Sequence, residues 1–244
     1  MLDIHNHYLA GVDDGPAELS GSLALVDLAI DQGIQKVVCT PHYHHGRYDW
    51  DAGKVTSAFD ALVSAVAGRL DLALAAEVRF SDEVLIDLRK GRVPFIGRWG
   101  EMDALLLEMP HQNVPMGIEA FLKWLKKEGI QPIIAHPERN KEVMKSPRRA
   151  RDLYRAGAVF QLTAGSIAGH FGENALSTAK ILLREEGVRF VASDAHNLKR
   201  PPAMKAAADA LATMHDAGDV DVSASRINEL MVLNPGVLTA GLFA

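Results

Sequence analysis

One cysteine, Cys39, is present among 244 residues. No internal disulfide can form, so a secreted disulfide scaffold is excluded and a reducing cytoplasmic compartment is expected. A basic excess is also missing, since 26 lysines and arginines stand against 31 acidic residues, for a formal net charge of −5. Nucleic-acid binders usually carry the opposite balance, so no nucleic-acid partner is expected. No apolar run approaches the roughly 18 residues of a membrane span, so the chain is not expected to be membrane-embedded. Its opening, MLDIHNHYLAGVDDG, has no basic segment leading into an apolar one, so no signal peptide is expected. No Ser/Gly-rich linker, composition break or internal repeat divides the chain, and residues 1–244 read as a single domain. With 48% hydrophobic and 23% charged residues, the chain can bury a large core rather than remain disordered.

Short apolar runs alternate with longer amphipathic ones. Strands are expected at 2–7, 36–42, 72–80, 104–110, 131–139, 158–165 and 188–196. Helices are expected at 17–32, 51–68, 81–90, 115–128, 147–156, 173–186, 202–217 and 223–233. Strands apolar on both faces that alternate with helices predict a parallel sheet, as an open doubly wound sheet or a closed barrel.

The polar residues favour the barrel. The first strand ends in His5 and His7, the second in His42 and the third in Glu77. The next two end in Glu108 and His136, and the seventh in Asp194 and His196. In a closed parallel barrel such ends converge on one mouth, whereas in an open sheet the outer strands lie too far apart. H-x-H at 5 and 7 and D-x-H at 194 and 196 place each pair on one strand face. Asp13 or Asp14 in the following loop can add a carboxylate. Any one of these residues alone is an ordinary polar group at a strand end. The joint pattern of ligand-competent types along one edge predicts a site for two or three divalent ions. Nitrogen and oxygen donors without thiolate suit Mn, Fe or Zn more than a soft metal.

DIHNH (3–7), GVDDGP (11–16), TPH (40–42), AEV (76–78), AHPER (135–139) and SDAHN (193–197) resemble the PHP family, named for polymerase and histidinol phosphatase domains. Within it they are most similar to the manganese-dependent tyrosine-protein phosphatases of bacterial capsule and exopolysaccharide synthesis. The resemblance runs from Leu2 to about Pro235 and includes NLKRPP (197–202) and LNP (233–235). It implies an α/β fold, a distorted (β/α)₇ TIM-like barrel of PHP type. It also implies a first metal on His5, His7, Glu77 and Asp194, with Glu77 bridging to a second completed by Glu108 and His136. A third would take Asp14, His42 and His196, with Asp13 able to exchange roles with Asp14. Arg139 and Arg200 are the implied phosphate binders. The NLKRPP loop departs slightly from the family pattern at Arg200.

The implied activity is phosphomonoester hydrolysis of a phosphotyrosine protein by a metal-bound hydroxide. A bacterial tyrosine kinase of polysaccharide export is the implied partner. A tyrosine leaving group, with a pKa near 10, needs little help from a general acid. The alternative within the family is a small-molecule phosphoesterase acting on histidinol phosphate or a nucleotide. Amidohydrolase-type barrels also begin with H-x-H but commonly bridge their metals with a modified lysine, where this chain offers Glu77. A cysteine-based phosphatase needs an arginine six residues after its thiolate, and here that position is His45. A metal-holding barrel without turnover is the non-enzymatic reading. His44, His45, Arg47 and Tyr48 are expected at a rim loop, His170 and Phe171 in a glycine-rich mouth loop, and PRRARD (147–152) on a solvated helix face.

Overall fold

The structure is a computed structural model that describes residues 1–185 and 187–231. Glu186, the last residues of the final expected helix and the LNP motif (233–235) lie outside the described residues. The aliphatic runs form β1 (Leu2–Asp3), β2 (Lys36–Cys39), β3 (His42–Tyr43), β4 (Asp71–Leu74) and β5 (Glu77–Arg79). They continue with β6 (Arg98–Trp99), β7 (Met102–Glu108), β8 (Ile130–Ala135), β9 (Val159–Thr163) and β10 (Val188–Ala192). One parallel sheet has the order β1-β2-β4. A second runs β10-β9-β8-β7-β5-β3, all parallel, with β6 added antiparallel to β7.

Two expected strands are each split in two. Pro41 has no N–H to give a ladder, and the second strand breaks there into β2 and β3. The third breaks at Ala75 and Ala76 into β4 and β5. Hydrogen bonds cross both breaks, from Ala75 N to Cys39 O at 2.9 Å and from Glu77 N to Pro41 O at 3.1 Å. Each pair therefore starts in the three-stranded sheet and finishes in the larger one. The short hairpin of β6 and β7, turning at Gly100 with φ 59°, was not expected from the sequence.

The expected helices appear with ends shifted by a few residues, as at 19–31, 52–66 and 118–127. Asp51 starts the second by accepting from Lys54 N at 3.0 Å. A helix at 141–145, capped by Asn140, and a turn of helix at 164–167 are additional. Among the described residues no helix is long and apolar enough to cross a membrane.

The strands bury both faces. Leu2, Ile4, Val38, Ala104, Leu106, Ile133, Phe190 and Ala192 belong to one apolar cluster between the strands. Leu105, Leu107, Ile134, Leu162 and Val191 belong to a second, shared with the helices. Alternate residues thus serve opposite faces, and each fully buried aliphatic side chain contributes about 1.5–3 kcal/mol.

The chain after β1 is clamped on both sides. Asn6 N donates to Thr40 Oγ1 and Thr40 N to Asn6 O, both at 3.0 Å. On the other side Asn6 bridges Ala195 in parallel, His7 N donates to Ala195 O at 2.9 Å and Asp194 N to His5 O at 2.7 Å. The wholly buried Asp3 accepts from Ser193 N at 2.9 Å and from Ser193 Oγ at 2.6 Å. These contacts bring the first and last strand ends side by side.

Candidate active site

The first expected strand is regular only at Leu2–Asp3, and His5 and His7 follow it on either side of the Asn6 bridge, both facing one carboxylate. His5 Nε2 lies 3.2 Å from Glu77 Oε1 and His7 Nε2 lies 3.4 Å from Glu77 Oε2. Both Nε2 atoms are 3.5 Å from Asp194 Oδ1. Behind them, His5 Nδ1 donates to Gln161 Oε1 at 2.8 Å and His7 Nδ1 to Asp13 Oδ2 at 2.7 Å. His196 Nδ1 is held 3.0 Å from the Asp194 carbonyl oxygen. Fixing Nδ1–H in this way turns each Nε2 lone pair toward the shared centre, the usual arrangement behind a metal-ligating histidine.

The paired aspartates separate by role. Asp13 Oδ2 also accepts from His42 N at 2.9 Å, and Asp13 Oδ1 accepts from Gly15 N at 2.9 Å, so this carboxylate is spent on orientation. Asp14 Oδ1 instead reaches 3.4 Å from His42 Nε2 and 3.5 Å from His196 Nε2. The tight DDG turn needs its glycine, because a Cβ on Gly15 would lie 2.3 Å from the His7 carbonyl oxygen.

His136 and Asp194 leave β8 and β10 with φ of 35° and 50°. Left-handed backbone is costly for a residue with a side chain and concentrates at working sites. The turn sends His136 Nε2 to within 2.9 Å of Glu77 Oε1. Asp194 faces two ways. Its Oδ1 lies toward His5 and His7, while its Oδ2 takes Arg139 Nη1 at 2.5 Å and also Arg200 Nη2. The Asn197 side chain shapes the loop that presents Arg200, accepting from Lys199 N at 2.9 Å and Arg200 N at 3.1 Å.

Among the described residues, four sets of side chains bring ligand atoms close enough to share a cation. They are His7–Asp14–His42–His196, His5–His7–Glu77, His5–His136–Asp194 and His42–Glu77–Glu108. All nine expected metal ligands fall in these sets, and Arg139 and Arg200 border them. The sets overlap more than the expected partition, since His7 also joins the Asp14 group and Glu108 meets His42. His5 Nε2, His7 Nε2, His42 Nδ1 and Glu108 Oε2 are buried without a hydrogen bond. Unpaired buried polar atoms cost about 1–3 kcal/mol each, and a hard or borderline cation satisfies such a donor set. The residues therefore fit a metal.

The electrostatics agree. Burial disfavours charge on every group here, yet mutual pairing wins at several. Glu77 is held well below the usual carboxylate range because the charges of His5 and His42 outweigh its burial. Asp194 is likewise lowered against its burial, by His5 and Arg200 first. Burial lowers His42, but the neighbouring Glu77 and Asp14 carboxylates raise it to about 10. Burial and the neighbouring His7 charge push His196 down to about 3, so its imidazole is neutral and ready as a ligand.

The cluster opens into a cavity of about 150 Å³ lined by the nine mouth residues from Asp14 to Arg200 and by His44, Arg47, Arg79 and His111. Tyr48 stacks on His42 with ring centroids 5.2 Å apart. His45 points elsewhere, to Asp87 at 2.7 Å. Larger hollows near Tyr154 and near Trp50 lie away from the ligand cluster. PRRARD is less solvated than expected, because Arg149 bridges Glu119, Glu142 and Asp152 at 2.9–3.0 Å. Cys39 is buried in β2, and burial pushes its thiol up, which removes the thiolate route.

Sequence reasoning missed four contributors. Arg79 pairs with Glu108 at 3.0 Å. Its signal was available, since period two from Glu77 puts Arg79 on the same face. Gln161 was legible only as a buried amide in an apolar strand. The orienting role of Asp13 and the ring of Phe171 under Arg139 depend on side-chain directions that spacing does not encode.

The family described as capsular polysaccharide synthesis, CpsB/CapC, matches residues 1–235. Tyrosine-protein phosphatase YwqE of Bacillus subtilis is 35% identical over 202 residues, covering 82% of this chain and 78% of that protein. Tyrosine-protein phosphatase CpsB of Streptococcus pneumoniae is 30% identical over 244 residues, covering 96% of each. A solved structure from a study of YwqE and CpsB as unique metal-dependent tyrosine phosphatases aligns with a TM-score of 0.80 at 33% identity, over 87% of both chains. A histidinol phosphate phosphatase of Lactococcus lactis, solved with zinc, L-histidinol and phosphate, aligns at a TM-score of 0.56. It covers 86% of this chain and 93% of that one, and at 11% identity the likeness shows the fold alone.

Proposed function

Because the chain belongs to the capsular polysaccharide synthesis family CpsB/CapC, we propose that it is a metal-dependent protein-tyrosine phosphatase working at the strand-end cluster. The observation that carries the reading is Asp194, whose one oxygen faces His5 and His7 and whose other holds Arg139 and Arg200. One carboxylate thereby joins the metal-ligand half of the site to a pair of guanidinium forks suited to phosphate.

His5, His7, Glu77 and Asp194 would hold one divalent ion. Glu77, Glu108 and His136 would hold a second, and Asp14, His42 and His196 a third. Mn²⁺ suits this thiolate-free set, with Fe or Zn as alternatives. Bound ions supply Lewis acidity for the phosphoryl oxygens and lower the pKa of water. Gln161, Asp13 and the Asp194 carbonyl hold the His5, His7 and His196 rings in register. Arg139 and Arg200 grip the non-bridging phosphoryl oxygens, and preorganised donors of this kind are worth about 10²–10³ in rate. The phenolate is a good enough leaving group that no general acid is assigned.

We read the two sheets as one distorted seven-stranded (β/α)₇ barrel, with β2–β3 and β4–β5 each counted as one strand. The Asn6–Ala195 bridge beside β1 and β10 supports closure. The chain is read as a single catalytic domain of the cytoplasm. Its substrate is read as a phosphotyrosine protein, in particular a tyrosine kinase of polysaccharide export.

The test compares turnover of a phosphotyrosine peptide and its phosphoserine counterpart by Mn²⁺-loaded protein, with a chelator control. Chelator-sensitive turnover with a strong phosphotyrosine preference is expected. Equal or absent turnover on both, with metal still bound, would transfer the reading to a small-molecule phosphoester.

A further inference from the structure

Arg139 and Arg200 come from different loops, yet both guanidinium groups lie over one ring. The Arg139 guanidinium carbon is 4.3 Å from the Phe171 ring centroid and that of Arg200 is 5.3 Å from it. Both distances fall within the range of cation–π attraction. The ring reaches this place because Gly165 leaves room, since a Cβ there would lie 2.8 Å from Phe171 Cε2. Phe171 does not line the cavity, so it stands behind the arginines rather than in the substrate's place.

Two like charges this close repel each other, and here Asp194 Oδ2 offsets that repulsion. A phosphate drawing on both arginines, or a cation drawing on Asp194, weakens this anchor during turnover. The Phe171 ring needs no proton and no counter-charge, so it continues to face both guanidinium groups.

We infer that Phe171 is a positioning residue that holds Arg139 and Arg200 together as a phosphate clamp through cation–π stacking. The inference rests on the proposed phosphate-binding role of the two arginines. Losing the two contacts is expected to weaken phosphate affinity by up to about tenfold, the limit reached when the phosphate-bound clamp depends on the ring and the free one does not. Arg139, with its guanidinium nearer the ring, is the more affected.

The experiment uses Mn²⁺-loaded protein and the variants Phe171→Leu, which keeps bulk without a π face, and Phe171→Tyr, which keeps both. Inorganic phosphate is titrated calorimetrically, and KM and kcat are measured on a phosphotyrosine peptide. Bound metal is counted, and the arginine Nε–H signals are recorded by NMR. The expected result is a phosphate affinity weaker by up to about tenfold and a higher KM for Phe171→Leu. Its kcat changes less, its metal content is unchanged, and Phe171→Tyr behaves as the parent. Phosphate affinity unaltered in Phe171→Leu would overturn the inference. So would equal losses in both variants or parallel loss of metal, either of which marks the ring as packing alone. Should Phe171→Leu fail to fold, the parent decides, because arginine signals without a ring-current shift also overturn it. Absence of phosphatase turnover would refute the proposed function while the phosphate titration and NMR still judge Phe171.

Discussion

Along β7, Ala104 and Leu106 point into the apolar layer between the strands, and Glu108, next on the same face, reaches the ligand cluster. Along β10 the same face carries Phe190 and Ala192, and Asp194 just beyond it meets two histidines and two arginines. The lower part of each column is aliphatic or aromatic and satisfied by packing. The upper part is crowded with imidazoles and carboxylates, some of them buried without a hydrogen bond. The strained φ angles at His136 and Asp194 also belong to the upper part. The same strands thus carry stability at one end and chemistry at the other, and the strained end persists because the packed end fixes it.

Three changes break or sharpen that contrast. The largest effect is expected at the mouth. Asp194→Asn removes the charge shared by His5, His7, Arg139 and Arg200, and kcat/KM on a phosphotyrosine peptide should fall about 10³-fold. The far-ultraviolet circular dichroism should remain that of the parent. Activity within a few-fold of the parent would contradict the joining role of Asp194.

The opposite pattern is expected in the packed layer. Phe190 is fully buried, and the Trp99 ring packs against it nearly perpendicular with centroids 5.5 Å apart. Phe190→Ala should cost about 3–5 kcal/mol of stability in denaturant unfolding. Activity per folded molecule should stay within a few-fold. A loss of metal larger than the loss of stability would show that the two ends are not separable.

A further test concerns pH. Nearby carboxylates raise His5, His7 and His42 against their burial, so these rings take up protons more readily than free imidazoles in the metal-free protein. An arriving cation displaces those protons, so apparent Mn²⁺ affinity should fall as pH falls, by about tenfold per pH unit for each proton displaced. Titrations at several pH values in buffers of different ionisation enthalpy would measure it. A pH-independent affinity would contradict ligation by these histidines.

Much of this contrast was legible from the residues. The strand rhythm and the edge of His, Asp and Glu follow from period two and from the chemistry of each type. Less legible was how the strands divide. Pro41 announced a break, but its consequence, a change of sheet between β2 and β3, follows only because β1 pairs with β2 while β7 pairs with β5 beside β3. The short β6 hairpin escaped because Arg98 and Trp99 are too few to show periodicity. In the site, spacing located the residues of the cluster but left Asp13 and Asp14 undecided. The choice rests on which carboxylate meets His7 Nδ1, a matter of ring direction. Phe171 and Arg139 are far apart in sequence and meet only through the fold.

Anomalous diffraction from crystals grown with Mn²⁺ tests the central claim most directly. Peaks are expected inside the cluster, with Glu77 shared between two of them and Asp194 touching one through Oδ1 while Oδ2 stays with the arginines. Peaks confined to other acidic surfaces, with these side chains still unligated, would contradict it.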